Sequence, residues 1–159
     1  MGKLFINIEH IASFTGFDGN IDNDTINPFI FMAQNSEIKR ILGDDLYNKM
    51  NTDFKNDVPF VSQYLEIYNV YILPIHSYFS ASFYLKLGVP KVSQNGVYLV
   101  TPEKTEQIFD EKTNKMANMY EKLAIDLELK LLSYLNSITI PEWVNQTQKA
   151  KSSFNWIKI

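Results

Sequence analysis

Between Val58 and Leu87 the chain carries formal charge only at Glu66 and Lys86. Aromatic and aliphatic side chains there occupy every side of a 3.6-residue period, not one stripe. A helix that is apolar all round is either a membrane span or the buried centre of a helical protein. Gln63, Glu66, Asn69 and His76 fall inside any window of the roughly 20 residues a span needs, and Pro74 interrupts it. The uninterrupted apolar run is only Val70 to Leu73. The stretch 57–88 is therefore expected to be a central core helix, kinked or split at Pro74, where proline removes a hydrogen bond and crowds the preceding turn.

The remaining 127 or so positions must fold around it, and 159 residues suit a single domain. An aromatic share of 14% supplies core area with some left for interfaces. The net charge of −3 and a pI near 5.4 argue against a broad nucleic-acid surface, which needs a basic patch. Arg40 is the only arginine, and there is no cysteine, which rules out disulfides, a thiolate nucleophile and cysteine metal sites. At the start of the chain, Asn7 and Glu9 end the apolar run too early for a signal peptide, and Ile6 stands where a myristoylation motif wants Ser or Thr. The chain is expected to stay in the compartment where it is made.

Residues 6–14 read as a short amphipathic helix and Thr15 to Asn20 as a loop. Asp22, Asn23 or Asp24 can cap a helix that tolerates Pro28 in its first turn. Ile26, Ile30, Ala33, Ile38, Ile41 and Leu42 follow at helical spacing. Gly43 closes that helix and Asp44 can cap the next, which carries Leu46, Tyr47, Met50 and Phe54 on one face. After Gly88 the period changes from 3.6 to 2, with apolar residues flanking Asn95-Gly96, a strong signal for a two-residue type I′ turn. Thr101-Pro102-Glu103 then starts a helix that runs to about Ser137. Phe109, Met116, Tyr120, Leu123, Leu127, Leu131, Tyr134 and Ile138 form its apolar stripe, and Ile125, Leu129 and Leu132 widen that face. Pro141 ends it. The polar stretch beyond closes on Phe154-Asn155-Trp156-Ile157-Lys158-Ile159, an alternating pattern unlike a solvated tail.

The fold class that emerges is mainly α: a helical bundle around a Pro-kinked apolar central helix, with one β-hairpin and an extended C-terminal tail. Residues 1–138 form the helical domain, with the hairpin at about 89–101, and 139–159 form the tail.

Site chemistry is sparse. His10 and His76 are the only histidines, and Ser77 beside His76 lacks a Gly-x-Ser-x-Gly setting. Asp18, Asn20, Asp22 and Asp24 take the first, third, fifth and seventh places of a calcium loop, but Phe29 stands where the bidentate Glu belongs. A capped loop explains them better, and Asp44-Asp45 reads as a capping pair. No phosphate loop or dinucleotide fingerprint occurs. The chain is expected to be no enzyme and to need no cofactor or metal.

The segment Asn27-Pro28-Phe29-Ile30-x-x-Ala33-Gln34-x-x-x-Ile38-x-x-Ile41-Leu42-Gly43-x-x-Leu46-Tyr47 resembles the head-to-tail connector (adaptor, or ring) proteins of tailed bacteriophages, particularly those of Bacteroidetes phages and their crAss-like relatives. In that family an Ile-x-x-Ala-Gln helix leads through Leu-Gly into a Leu-Tyr helix, then a kinked apolar helix, a short hairpin and a long final helix. The order matches over residues 1–138. The resemblance implies a structural virion protein at the neck, made in the host cytoplasm. Its copies would close into a homo-oligomeric ring, a dodecamer matching the portal, with DNA passing through the lumen unbound and no membrane contact. It also implies contacts with the portal protein and with tail or other neck proteins. A ring needs two different matching faces on each subunit. The hairpin residues Lys91, Val92, Gln94, Asn95, Gly96 and Tyr98 are the expected subunit–subunit interface. Trp143, Phe154, Trp156 and Ile157 are the expected anchors for the portal or another neck partner. The rival expectation is a monomeric intracellular helical binding module.

Overall fold

The computed structural model of the chain describes residues 3–17, 21–88, 90–93, 96–99 and 106–143, with the segments between 90 and 110 described by backbone alone. It is a mainly helical bundle. Helix α1 spans Ile8–Phe14, α2 Asn23–Ala33, α3 Lys39–Lys55, α4 Ser62–Glu66, α5 Leu73–Phe83 and α6 Glu106–Ser137. At 1.5 Å per residue α6 is about 48 Å long. Helix α5 lies at the centre, packed on α6, α2 and α1.

Local sequence accounts for the first two helix starts. The Asn7 side chain accepts from the His10 backbone N–H while the His10 ring returns to the Asn7 N–H, a reciprocal cap. Asp22 caps α2 by accepting from the Asp24 N–H, so this acid of the suspected calcium loop serves the helix. Asp18 and Asn20 lie outside the described residues. Gly43 sits at φ 70 and ψ 167 inside α3, where it turns the chain through the anticipated corner. That region is open to glycine almost alone.

Three π-helical turns extend the α segments: Gln34–Ile38 joins α2 to α3, Ile67–Ile72 joins α4 to α5, and Tyr84–Gly88 prolongs α5. They make residues 62–88 one continuous helical rod, not a split pair. Pro74 falls in the first turn of α5, directly after the second π turn. Because the rod is continuous there, Pro74 removes one backbone hydrogen bond from it, next to the turn where the ladder already departs from the α pattern. At the first π turn, three successive carbonyls take side-chain donors: His76 Nε2 at 3.0 Å from the Ile30 oxygen, Asn35 Nδ2 at 2.8 Å from Phe31 and Ser36 Oγ at 2.9 Å from Met32.

The core is formed by Ile26, Ile30 and Ala33 of α2, Leu42, Leu46 and Met50 of α3, Ile75 and Phe79 of α5, and Ala117, Tyr120, Ala124, Leu131 and Leu135 of α6. Burying one Ile or Leu contributes about 1.5–3 kcal/mol, so this set supplies most of the driving force. Arg40 ties the corner to the final helix through two bonds of 2.8 Å to the Glu128 carboxylate.

Two expectations about burial are corrected. The central stretch is not buried all round, since Val61 is 65% and Val70 52% exposed. Its first half buries only Ile67 and Ile72, because α4 and the second π turn lie at the margin of the bundle. Nor do Ile125 and Leu129 widen the core face of α6: Leu129 is 60% exposed and Ile125 also faces outward.

Strands β1 (Pro90–Ser93) and β2 (Gly96–Leu99) pair antiparallel, with Val92 opposite Val97 and Ser93 opposite Gly96. Gly96 is therefore a ladder residue, one step from its expected place at the centre of the turn.

Candidate functional site

No described helix is long and apolar enough to cross a membrane. Among the described residues, no three His, Asp or Glu side chains are grouped to hold a metal ion. His76 and Ser77 do not act on each other: Ser77 Oγ donates to the Leu73 carbonyl at 2.7 Å, and the His76 ring is spent on Ile30. Burial holds the His76 imidazole neutral, with its pKa lowered to about 4; the Ile30 bond opposes that shift and His10 adds to it.

The principal buried polar network surrounds the first π turn. The Phe5 N–H donates to Gln34 Oε1 at 2.8 Å. Gln34 Nε2 reaches the Tyr47 hydroxyl at 3.5 Å, and that hydroxyl donates to Asn35 Oδ1 at 3.3 Å. Residues from the Ala-Gln and Leu-Tyr pairs of the sequence motif thus meet in space and hold the N-terminal segment against the corner. A cavity of about 90 Å³ adjoins them, lined also by Leu4, Phe31, Asn51 and Lys55. It is far smaller than the ~300–1,000 Å³ of a usual ligand site. Asn51 Oδ1 is buried without a protein partner. The geometry suits a structural joint better than a reaction centre.

The remaining candidates are surfaces. Helix α6 displays two apolar flanks. Met116, Met119 and Leu123 form one, with Met119 51% exposed; Ile125 and Leu129 form the other, extended by half-buried Leu132. At 100° per residue their centres lie roughly 150° apart around the helix and are offset by about 14 Å along it. The core-facing arc separates them. A third surface lies at the loop between α3 and α4, where Val58, Val61 and Leu65 are exposed beside an aromatic cluster of Phe5, Phe54, Phe60 and Tyr68.

Tyrosines anchor this end of the bundle. Tyr64 donates to Glu142 Oε2 at 2.7 Å and Tyr68 to the Phe5 carbonyl. Desolvation raises both phenols to about 12, with the Glu142 bond adding to it for Tyr64. Tyr134 donates to Glu66 Oε2 at 2.6 Å, and that bond is the main cause of its rise to about 12.

Of the residues singled out in the sequence, Trp143 packs half-buried against the bundle, its indole N–H donating to Asn136 Oδ1 at 3.1 Å. Gln94, Asn95, Phe154, Trp156 and Ile157 lie outside the described residues. Lys91 is opposite Tyr98 and Val92 opposite Val97 in the strand ladder, described by backbone alone. The sequence assigned Met116, Leu123, Ile125 and Leu129 to one apolar face of this helix, whereas they lie exposed on its two flanks, together with Met119, which the sequence did not single out.

Residues 38–153 match one family model, which spans α3 to α6 and both strands. The chain belongs to DUF6712. DUF6712 is a family of unknown function. No curated protein and no solved structure matches the chain. The DUF6712 match includes both α6 flanks and the Gly43 corner, and it stops one residue before Phe154.

Proposed function

We propose that the chain is a structural virion protein, one subunit of a head-to-tail connector ring that joins the portal to the tail in the neck of a tailed phage. The observation that carries this reading is the pair of unlike apolar flanks on α6. A closed ring needs a heterologous contact, in which one face of each subunit meets a different face of the next. Two apolar stripes on opposite sides of one helix, offset along its axis, meet that requirement without a second domain. The motif order supports the same assignment, because its residues converge on one joint and carry no chemistry.

In this reading the ring is a dodecamer matching the portal, and DNA passes through its lumen without specific binding. The hairpin residues Lys91, Val92, Gln94, Asn95, Gly96 and Tyr98 contact the neighbouring subunit beside the α6 flanks. Trp143 and the tail residues Phe154, Trp156 and Ile157 engage the portal or another neck protein. Modest tail contacts become effectively permanent when many copies dock together.

The deciding experiment is mass spectrometry of purified particles followed by a map of the neck. The expected result is this chain in the particle, as a ring whose subunit contacts include Met119 and Leu129. Its absence from particles would sink the proposal. Deleting 145–159 should leave the helical content intact and abolish incorporation into the neck.

A further inference from the structure

At the end of the bundle where α3 meets α4, a groove of about 240 Å³ opens between aromatic rings. Phe54 and Phe60 stack at 6.3 Å, and Tyr68 lies 5.0 Å from Phe60. Val58 and Pro59 form the outer wall, and the Lys3–Asp57 ion pair stands at the mouth. The volume is below the ~300–1,000 Å³ of a usual small-molecule site but accommodates an aromatic side chain. The wall is set in advance. Asp57 and Ser62 hold positive φ angles of 57° and 53°, and the Val58 N–H donates to the Asp53 carbonyl at 2.9 Å. A preformed wall adds little ordering cost on binding.

Two further observations name the occupant. The described chain ends at Trp143, and its neighbour Glu142 is held by Tyr64, one helical turn before Tyr68 of the groove. The described chain thus ends near the groove, and at up to ~3.3–3.6 Å per residue the segment 144–159 is long enough to span it. Charge also favours the match. Lys149, Lys151 and Lys158 lie in this segment with no acid, so it is +3; the rest of the chain keeps 12 of the 15 basic residues against all 18 acids, or −6.

We propose that the groove binds the chain's own C-terminal segment, with Trp156 seated among Phe54, Phe60 and Tyr68 and Lys158 beside Asp57. A tethered segment competes at millimolar effective concentration, so modest affinity keeps it in place until a stronger partner displaces it. This holds whether or not that partner is a portal.

The test uses the full-length chain carrying Trp143→Phe, so that Trp156 is the only indole. Acrylamide should quench Trp156 several-fold less than a free indole, independently of protein concentration. Val58→Glu, placed on an exposed wall residue, should restore full quenching with the helical signal unchanged. In a separate Trp156→Ser protein, amide exchange at Asp57, Val58 and Phe60 should quicken several-fold. Three outcomes would overturn the proposal: quenching of Trp156 as a free indole from the start, protection that appears only as concentration rises (a second copy is then the occupant), or protection that Val58→Glu leaves untouched.

Discussion

His76 carries an acid sensitivity that can be placed on the pH scale. Folding buries the ring completely, uses Nε2 on the Ile30 carbonyl and leaves Nδ1 without a partner. Its folded pKa of about 4 lies below the 6.5 of an exposed histidine, so between these values the unfolded chain binds the extra proton and the folded one does not. The stabilisation is therefore present above pH 6.5 and is lost as pH falls through the folded pKa. The lowered pKa corresponds to up to about 3 kcal/mol. Urea midpoints measured between pH 7 and 4 should fall more steeply for the native protein than for His76→Gln, which removes this titration; equal slopes would contradict the account. Sequence alone could mark His76 as a core or helix-surface histidine but could neither decide between them nor supply Ile30 as its partner, because the two are brought together only by the packing of α5 on α2.

At the level of elements, signals confined to a few neighbouring residues were legible. The Asp22 cap, the Gly43 corner and the helix running to Ser137 follow from side chains acting within one turn. The π turns were not legible, because no local pattern distinguishes an i→i+5 bond from an i→i+4 bond, and the donors Asn35 and Ser36 and the buried Gln34, which binds Phe5 and Tyr47, gain their roles only in the packed bundle. Ile125 and Leu129 were misread for a related reason. Periodicity shows that α6 has a broad apolar arc but not how much of that arc the neighbouring helices cover. Among the interface candidates, Trp143 is the one whose side chain is described, and its seat against Asn136 could not be foreseen from a tail-like sequence. The corner allows a direct check. Gly43→Ala forces a Cβ into a conformation reserved for glycine, and the expected loss is about 1–3 kcal/mol. Chemical denaturation should show a lower midpoint with an unchanged slope. A neutral result would mean that the corner relaxes without strain.

On the scale of the whole molecule, one side of the rod 62–72 gathers parts that are distant in the chain. Tyr68 holds Phe5 and, one turn earlier, Tyr64 holds Glu142. The first described residues and the last therefore lie side by side at one end of the bundle, with 144–159 able to bridge them. Circular permutation is the practical consequence. If Ile159 is joined to the N-terminal residues and the chain is opened between Ser93 and Gly96 instead, every helix–helix contact among the described residues survives, and domains tolerate such rewiring where the joined segments lie close. The permutant should fold with helical content and melting temperature close to those of the parent, as circular dichroism would show. Its C-terminal segment would be a closed loop with no free end. Any partner that must thread that end into a pocket would then refuse the permutant, whereas one that grips the segment from the side would still accept it.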